Sequence, residues 1–306
     1  MVAGAAPTIA DFRRPSTPRV SALSDRLAVL PQYLLPKQAL TALAGRFASA
    51  RLGGFTTWAI RRFIARYGVD MAEAANPDPA AYPTFNEFFT RALREGARPL
   101  AAAPLICPVD GAISQFGPIA GDQIFQAKGH GYSTRALLGG DAALATAFEN
   151  GSFATLYLSP RDYHRIHMPC DGRLVRMIHV PGALFSVNPT TARGVPGLFA
   201  RNERVVCVFE GEQGPWVLVL VGATIVGSMA TVWHGQVNPP RPGRLRDWSY
   251  LERDIRLKQG EEMGRFLLGS TVVMLFPQRQ GLHFNPAWQP GGAIRLGEAM
   301  ATTTRG

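Results

Sequence analysis

"WVLVLVGATIVGSMATVW", from Trp216 to Trp233, runs for 18 residues without a charge. That length approaches a membrane span of about 20 residues. The composition points elsewhere, because Val, Ile and Thr are abundant and Gly222 and Gly227 interrupt the run. β-Branching with glycine punctuation reads as two buried strands and a bend between them. The same texture extends from Pro99 to Leu296, where short apolar runs alternate with Gly, Pro, Asn and Asp clusters about every 8–12 residues. Candidate strands are Ala154–Leu158, Leu174–Val180, Arg204–Glu210, Trp216–Val221, Thr224–Ser228 and Leu267–Phe276.

Upstream the pattern is helical. Phe55, Ala59, Phe63 and Tyr67 recur every four residues, as do Leu40, Leu43, Ala44 and Phe47 at helical spacing before the Gly53-Gly54 break. Pro31 and Pro36 are expected to interrupt any helix around Gln32–Leu35. Thr84-x-x-Glu87 ahead of Phe88-Phe89 is a capping-box pattern, predicting a helix to about Arg94. Residues 1–24, rich in Ala, Pro, Ser and Thr, read as a disordered extension. The expected architecture is α+β: N-terminal amphipathic helices (25–100), then a mainly antiparallel β-rich domain (101–306).

With 306 residues, 46% of them hydrophobic, the chain can bury a substantial core. A net charge of +10 suggests nucleic acid, an anionic membrane or an acidic substrate as partner. No nucleic-acid-binding motif is recognisable. Between Arg26 and Val69 there are seven basic residues and no acidic one. Such helices either pack conventionally or lie on an anionic bilayer, where each basic residue contributes on the order of 1 kcal/mol. Cys107, Cys170 and Cys207 form no CxxC pair, and their odd number fits a reducing compartment. No apolar stretch of a secretory signal opens the chain.

"GRFLLGSTVV", Gly264 to Val273, places a glycine and two hydroxyls inside an apolar run. Glycine there marks a bulge or a close backbone approach. Two other clusters carry chemistry: Asp110 in Pro108-Val109-Asp110-Gly111, and the pair His164 and His167, two of six histidines. The Asp-Gly pair by itself reads as a turn. His164, His167 and Cys170 are evenly spaced but lack a fourth ligand, so no metal is expected. Asp, His and Ser are the elements of an activated hydroxyl. Ser270 has no GxSxG elbow. It sits within a strand, where the carbonyl of its own preceding residue is nearer than any external substrate.

An ordered series of segments then becomes specific: "YLLPK", "TFNEFFTRALR", "PVDGAISQFG", "AKGHGYS", "YLSPRDYHRIHMPCDG", "VPGALFSVNP", "LFARNERVV", "VGATIVGSM", "KQGEEMGRF" and "LGST". From about Leu30 to Leu296 the chain resembles the compact bacterial phosphatidylserine decarboxylases. It departs in its N-terminal extension and in Pro-Val-Asp-Gly where Pro-Ala-Asp-Gly is more usual. The resemblance implies a proenzyme that cuts itself between Gly269 and Ser270 into a β chain (1–269) and an α chain (270–306). It implies a covalent pyruvoyl group made from Ser270, whose carbonyl condenses with the amine of phosphatidylserine and accepts the electron pair left by CO2, giving phosphatidylethanolamine. By the same resemblance His167 is the base of self-cleavage, with Asp110 orienting it. His164 is our candidate for returning a proton to the product, and Phe185, Ser186 and Asn188 are candidates to line the substrate site. The implied location is peripheral, on the cytoplasmic face of the cell membrane, with anionic phospholipid as partner; a homodimer is compatible with it. A serine hydrolase using Ser270, His167 and Asp110, or a pyruvoyl decarboxylase of a soluble amino acid, are the alternatives.

Overall fold

The computed structural model describes residues 19–303 apart from Lys128, Gln213, 225–227, 268–269 and 279–281. Gly269 and residues 1–18 of the expected extension therefore lie outside the described residues. Among the described residues the centre is a nine-stranded sheet. Its order is β12 (Arg246–Ser249), β7 (Gly172–Val180), β8 (Arg204–Gly211), β9 (Gly214–Val221), β15 (Ser270–Phe276), β5 (Ser152–Leu158), β2 (Gly111–Pro118) and β17 (Ala293–Ile294), with β13 (Arg256–Leu257) also on β7. Every pairing in it is antiparallel. A second sheet runs β11 (Gly235–Asn238), β10 (Met229–Thr231), β14 (Glu262–Phe266), β6 (Arg165–His167). A third runs β1 (Leu105–Ile106), β18 (Ala299–Thr303), β16 (Leu282–Phe284), and β3 (Gln123–Ala127) pairs with β4 (His130–Ser133).

The long apolar runs have a simple cause: both faces of the large sheet are covered. Along β9, Val217, Val219 and Val221 belong to one core cluster and Leu218 and Leu220 to the other. Along β15, Val273 and Leu275 oppose Val272 and Met274. Side chains alternate across a strand, so a strand buried on both faces reads as continuous hydrophobicity. One face carries a helical layer through Ile60, Phe88, Phe89, Leu137 and Phe199. The other carries the small sheets through Ile166, Met229, Met263, Phe266 and Met300. Each fully buried Val or Leu contributes roughly 1.5–3 kcal/mol, so the central strands are held chiefly by this burial.

The helices are α1 (Arg19–Leu34), α2 (Lys37–Ser49), α3 (Gly54–Tyr67) and α4 (Phe85–Phe89), followed by the short α5 (Thr134–Leu137), α6 (Ala142–Thr146), α7 (Pro189–Gly194) and α8 (Leu198–Arg201). α1 is tied to α7 by Arg193, whose Nε lies 3.1 Å from Asp25 Oδ2. Among the described residues no helix is long and apolar enough to cross a membrane.

Four local expectations need correction. α1 runs through Pro31 to Leu34. Proline there removes only the bond its own nitrogen would make, and the Leu35 N–H still reaches the Pro31 carbonyl at 3.2 Å. Thr84 caps the helix, its Oγ1 accepting from the Glu87 N–H at 3.1 Å, but α4 stops at Phe89. Downstream the chain instead pairs with residues 73–75, where the Ala75 and Arg94 N–H groups bond the Ala92 and Glu73 carbonyls. Of the expected strand Leu267–Phe276, β15 takes up Ser270–Phe276, Leu267 lies outside any strand and 268–269 lie outside the described residues. The expected strand Thr224–Ser228 gives way to β10 from Met229, with 225–227 outside the described residues.

Candidate functional site

Register gathers the chemical residues at one end of the large sheet. Ser270, the first residue of β15, pairs with Leu158, the last of β5. On the other side of β5, Ala112 pairs with Tyr157. Gly111 comes so close to that strand that a Cβ would stand 2.2 Å from the Tyr157 carbonyl oxygen. The Asp110-Gly111 pair thus needs its glycine for close approach. β6 brings in the histidines: the His167 N–H bonds the Pro108 carbonyl at 2.9 Å, and the His164 carbonyl accepts from the Phe266 N–H at 3.1 Å.

Asp110 is held by a residue that no sequence motif singled out. Arg98 forks onto its carboxylate, with Nη2 at 2.6 Å and Nε at 3.0 Å from its two oxygens, and the Leu296 N–H donates at 2.8 Å. Arg98 Nη2 also reaches Glu73 at 2.6 Å, and Glu73 accepts from Arg295 at 3.0 Å. The hydrogen bonds and charge of Asp110 and Glu73 push the Arg98 guanidinium above its ordinary range, against burial. The same contact with Arg98 holds Glu73 below the usual carboxylate range. The expected direct bond from Asp110 to His167 is not made. Both ring nitrogens of His167 are engaged elsewhere, and Asp110 is committed to Arg98.

His167 Nδ1 lies 2.7 Å from the Gly260 carbonyl and Nε2 lies 3.0 Å from the Tyr163 hydroxyl. A carbonyl only accepts, so Nδ1 carries the proton and Nε2 presents its lone pair to the Tyr163 O–H. Burial holds this imidazole below its ordinary range, opposed by the bond to Gly260. Neutral His167 is therefore a base at Nε2, once Tyr163 gives way. Tyr163 is itself raised, mainly by burial, and keeps its proton.

His164 is fully buried. Its Nδ1–H donates to the Asp162 carbonyl at 2.7 Å, its ring centroid lies 4.1 Å from that of Phe89, and its Nε2 is buried without a partner. Burial pushes it down to about 3. In this form it is neutral, with an unprotonated Nε2. Ser270 is 1% exposed, and its Oγ has no hydrogen-bond partner. Leaving a buried hydroxyl unpaired costs about 1–3 kcal/mol.

Phe185, Ser186 and Asn188 lie on a loop between α1, α2 and the sheet. The Phe185 ring meets Tyr33 edge-on at 4.9 Å and has Lys37 Nζ at 4.3 Å from its centroid. The Ser186 N–H donates to Gln32, and Asn188 Oδ1 caps α7 by accepting from the Thr191 N–H. Asn202 ties this loop to the next by donating to the Phe185 and Gly222 carbonyls, both at 2.8 Å. Arg98 and Tyr163 are the residues that sequence reasoning missed. Tyr163 stood in view within "YHRIH", whereas Arg98 gave no local signal. Among the described residues no group of three or more His, Cys, Asp and Glu could hold a metal ion. The donor set is that of an acyl transfer onto a hydroxyl. A serine whose Oγ is tied to nothing, at the head of a strand, fits conversion into a group built on its own backbone.

A family model described as phosphatidylserine decarboxylase matches residues 85–302, and one described as PSD matches residues 27–68. Curated relatives bear the name phosphatidylserine decarboxylase proenzyme. The protein of Azoarcus sp. is 78% identical over 278 residues, covering 91% of this chain and 96% of its own. That of Acidovorax ebreus is 76% identical over 279 residues, covering 91% and 98%. That of Dechloromonas aromatica is 74% identical over 280 residues, covering 92% and 99%.

Proposed function

The chain belongs to the phosphatidylserine decarboxylase family, and from that premise we propose that it is a proenzyme which cuts itself before Ser270 and then decarboxylates phosphatidylserine to phosphatidylethanolamine. The observation that carries this reading is Ser270 Oγ, buried and unpartnered at the head of the central strand β15. A serine hydrolase would need that hydroxyl open to an external substrate, and Ser270 is 1% exposed.

In the cutting step Ser270 Oγ attacks the Gly269 carbonyl carbon while His167 Nε2 takes the hydroxyl proton. The peptide C–N bond breaks as the ester C–O bond forms, and the proton passes to the Ser270 nitrogen. Loss of the Ser270 α-proton expels residue 269 as a carboxylate, and hydrolysis of the remaining C–N bond releases ammonia and leaves a pyruvoyl group. Intramolecular placement supplies much of the rate, since effective molarities reach on the order of 10⁵–10⁸ M. Arg98 fixes the Asp110 carboxylate close to the Pro108–His167 contact, and the charge of Asp110 favours the imidazolium that forms. When present, the pyruvoyl group supplies a carbonyl that condenses with an amine and draws in the electron pair left by departing CO2. His164 is our candidate for returning a proton to the former α-carbon, once the charge of a bound substrate offsets the burial that holds it neutral.

The substrate resides in a bilayer, and the N-terminal helices are suited to meet one. Twelve of the seventeen exposed large apolar side chains among the described residues lie between Leu27 and Tyr67. Phe47, Phe55 and Trp58 form a ridge, with ring centroids 5.7 and 5.3 Å apart, and Arg46, Arg51, Arg61, Arg62 and Arg66 are exposed around it. Such a basic, aromatic surface favours peripheral docking on anionic lipid. We place it on the cytoplasmic leaflet, consistent with the three free cysteines. The test is intact-mass analysis together with CO2 release from phosphatidylserine vesicles. Two fragments, the C-terminal one with a ketone terminus, and stoichiometric phosphatidylethanolamine are expected; an active, uncut chain would refute the reading.

A further inference from the structure

Among the described residues three arginine side chains are withdrawn from solvent, and they are treated differently. Arg98 lies between two carboxylates. Arg204 spends its guanidinium on three carbonyls, those of Leu137, Asn202 and Ala136, at 2.6, 2.8 and 2.5 Å. Arg91, 5% exposed, has one side-chain bond, from Nη2 to the Arg161 carbonyl at 3.4 Å, and its Nε is buried with no partner. A normal N–H···O bond is 2.7–3.2 Å. A buried cation left so poorly matched is costly, and mutual attraction with an anion is what ordinarily offsets that cost. Burial pushes the Arg91 guanidinium below its ordinary range.

Its position is informative. Arg91 follows α4, whose Phe88 ring lies 5.5 Å from the guanidinium and whose Phe89 ring packs on His164. Arg165 Nε clamps the adjacent Thr90 carbonyl at 2.8 Å. The one carbonyl that Arg91 reaches belongs to the loop joining Leu158, the partner of Ser270, to His164. A poorly matched cation therefore lies beside His164, against the loop that leads to it from the strand paired with Ser270.

We propose that Arg91 is the binding site for the phosphodiester of the substrate headgroup, an inference that rests on the decarboxylase reading. The headgroup offers two anions. A cation on the carboxylate would stabilise the ground state more than the transition state, because that charge leaves the carboxylate as CO2 forms. The phosphodiester keeps its charge throughout, so binding it does not oppose the reaction. A guanidinium presents paired N–H groups that match phosphate oxygens. With Arg91 and Ser270 both closed off in the uncut chain, the site accepts its anion only after scission.

Three soluble amines separate the two anions: glycerophosphoserine carries both, glycerophosphoethanolamine only the phosphodiester, and serine only the carboxylate. The readout is the fraction of C-terminal fragment locked to each amine by cyanoborohydride, measured by intact mass on fully cut enzyme. In Arg91→Gln, trapping of both phosphodiesters should fall about 10- to 100-fold, as expected for loss of a charge-assisted bond, with serine trapping within about twofold of wild type and partial recovery in Arg91→Lys. An equal fall for serine, or no fall for the phosphodiesters, would overturn the proposal. Should Arg91→Gln remain uncut, competition on the wild type decides: dimethyl phosphate must suppress glycerophosphoserine trapping, and its failure to do so overturns the assignment. A wild type that traps none of the three sinks the decarboxylase reading and this inference together, whereas a defect confined to Arg91 variants concerns Arg91 alone.

Discussion

The N-terminal helices and the large sheet break the usual rule of burial in opposite directions. Along α1–α3, large apolar side chains such as Leu34, Leu43 and Trp58 face outward. In the sheet, Ser270 and Thr271 bury hydroxyls without partners. Each departure costs free energy, and each is concentrated rather than scattered. Exposed contiguous apolar surface marks an interaction site, and an unsatisfied buried polar group marks strain or chemistry. On the proposed reading lipid contact belongs to one region and bond-making to the other, so damage to each should register in a different measurement.

The largest effect is expected from Ser270→Ala, which should abolish both scission and CO2 release and give one uncut chain by intact mass. Cutting in that variant would take bond-making away from the sheet. His167→Ala should slow self-cleavage by roughly 10²–10⁴-fold, the usual contribution of a general base, followed as fragment appearance over time. Arg98→Ala, made in the Ser270→Ala background to exclude scission, should lower unfolding stability by about 3–5 kcal/mol in denaturant titrations, because it leaves the buried Asp110 carboxylate without its cation.

Protonation offers a further test in the same uncut background. His164 binds its proton less readily folded, at about 3, than unfolded, near 6.5. The unfolded chain thus holds more protons between those values, and stability rises with pH across that window. Its contribution is complete above pH 6.5 and is lost as pH falls toward 3; His164→Asn should flatten that part of the profile. The smallest effect on the fold is expected from Phe55→Ser with Trp58→Ser. Stability should change by no more than about 0.5 kcal/mol per site. Flotation with anionic vesicles should fall about tenfold or more, since the apolar surface lost is what would enter lipid. Unchanged flotation would deny the helices any part in lipid contact.

Much of the sheet was readable beforehand because burial on both faces writes itself into composition. β5, β7, β8 and β9 lie where their Val- and Leu-rich runs predicted them. Errors fell where long-range contacts override local pattern. α4 is cut short by pairing with residues 73–75, and Pro31 is tolerated in a last turn. At the site, residue types were legible and relationships were not. Nothing in "PVDG" announces that Asp110 will be gripped by Arg98 and by the Leu296 amide, or that His167 will be steered by the Gly260 carbonyl. Those partners are set by which strand ends the sheet brings side by side.

β15 is flanked by β9 and β5 for nearly its whole length, and this governs the fate of the two pieces after a cut at its head. The shorter piece would remain woven into the middle of the sheet, with β17 fastened to β2 and β18 to β1, so the mature form would behave as one body made of two molecules. Once dispersed by denaturant, those molecules must find each other again. Recovery of the mature form should therefore be second order in protein concentration, whereas an uncut variant refolds at a rate independent of dilution.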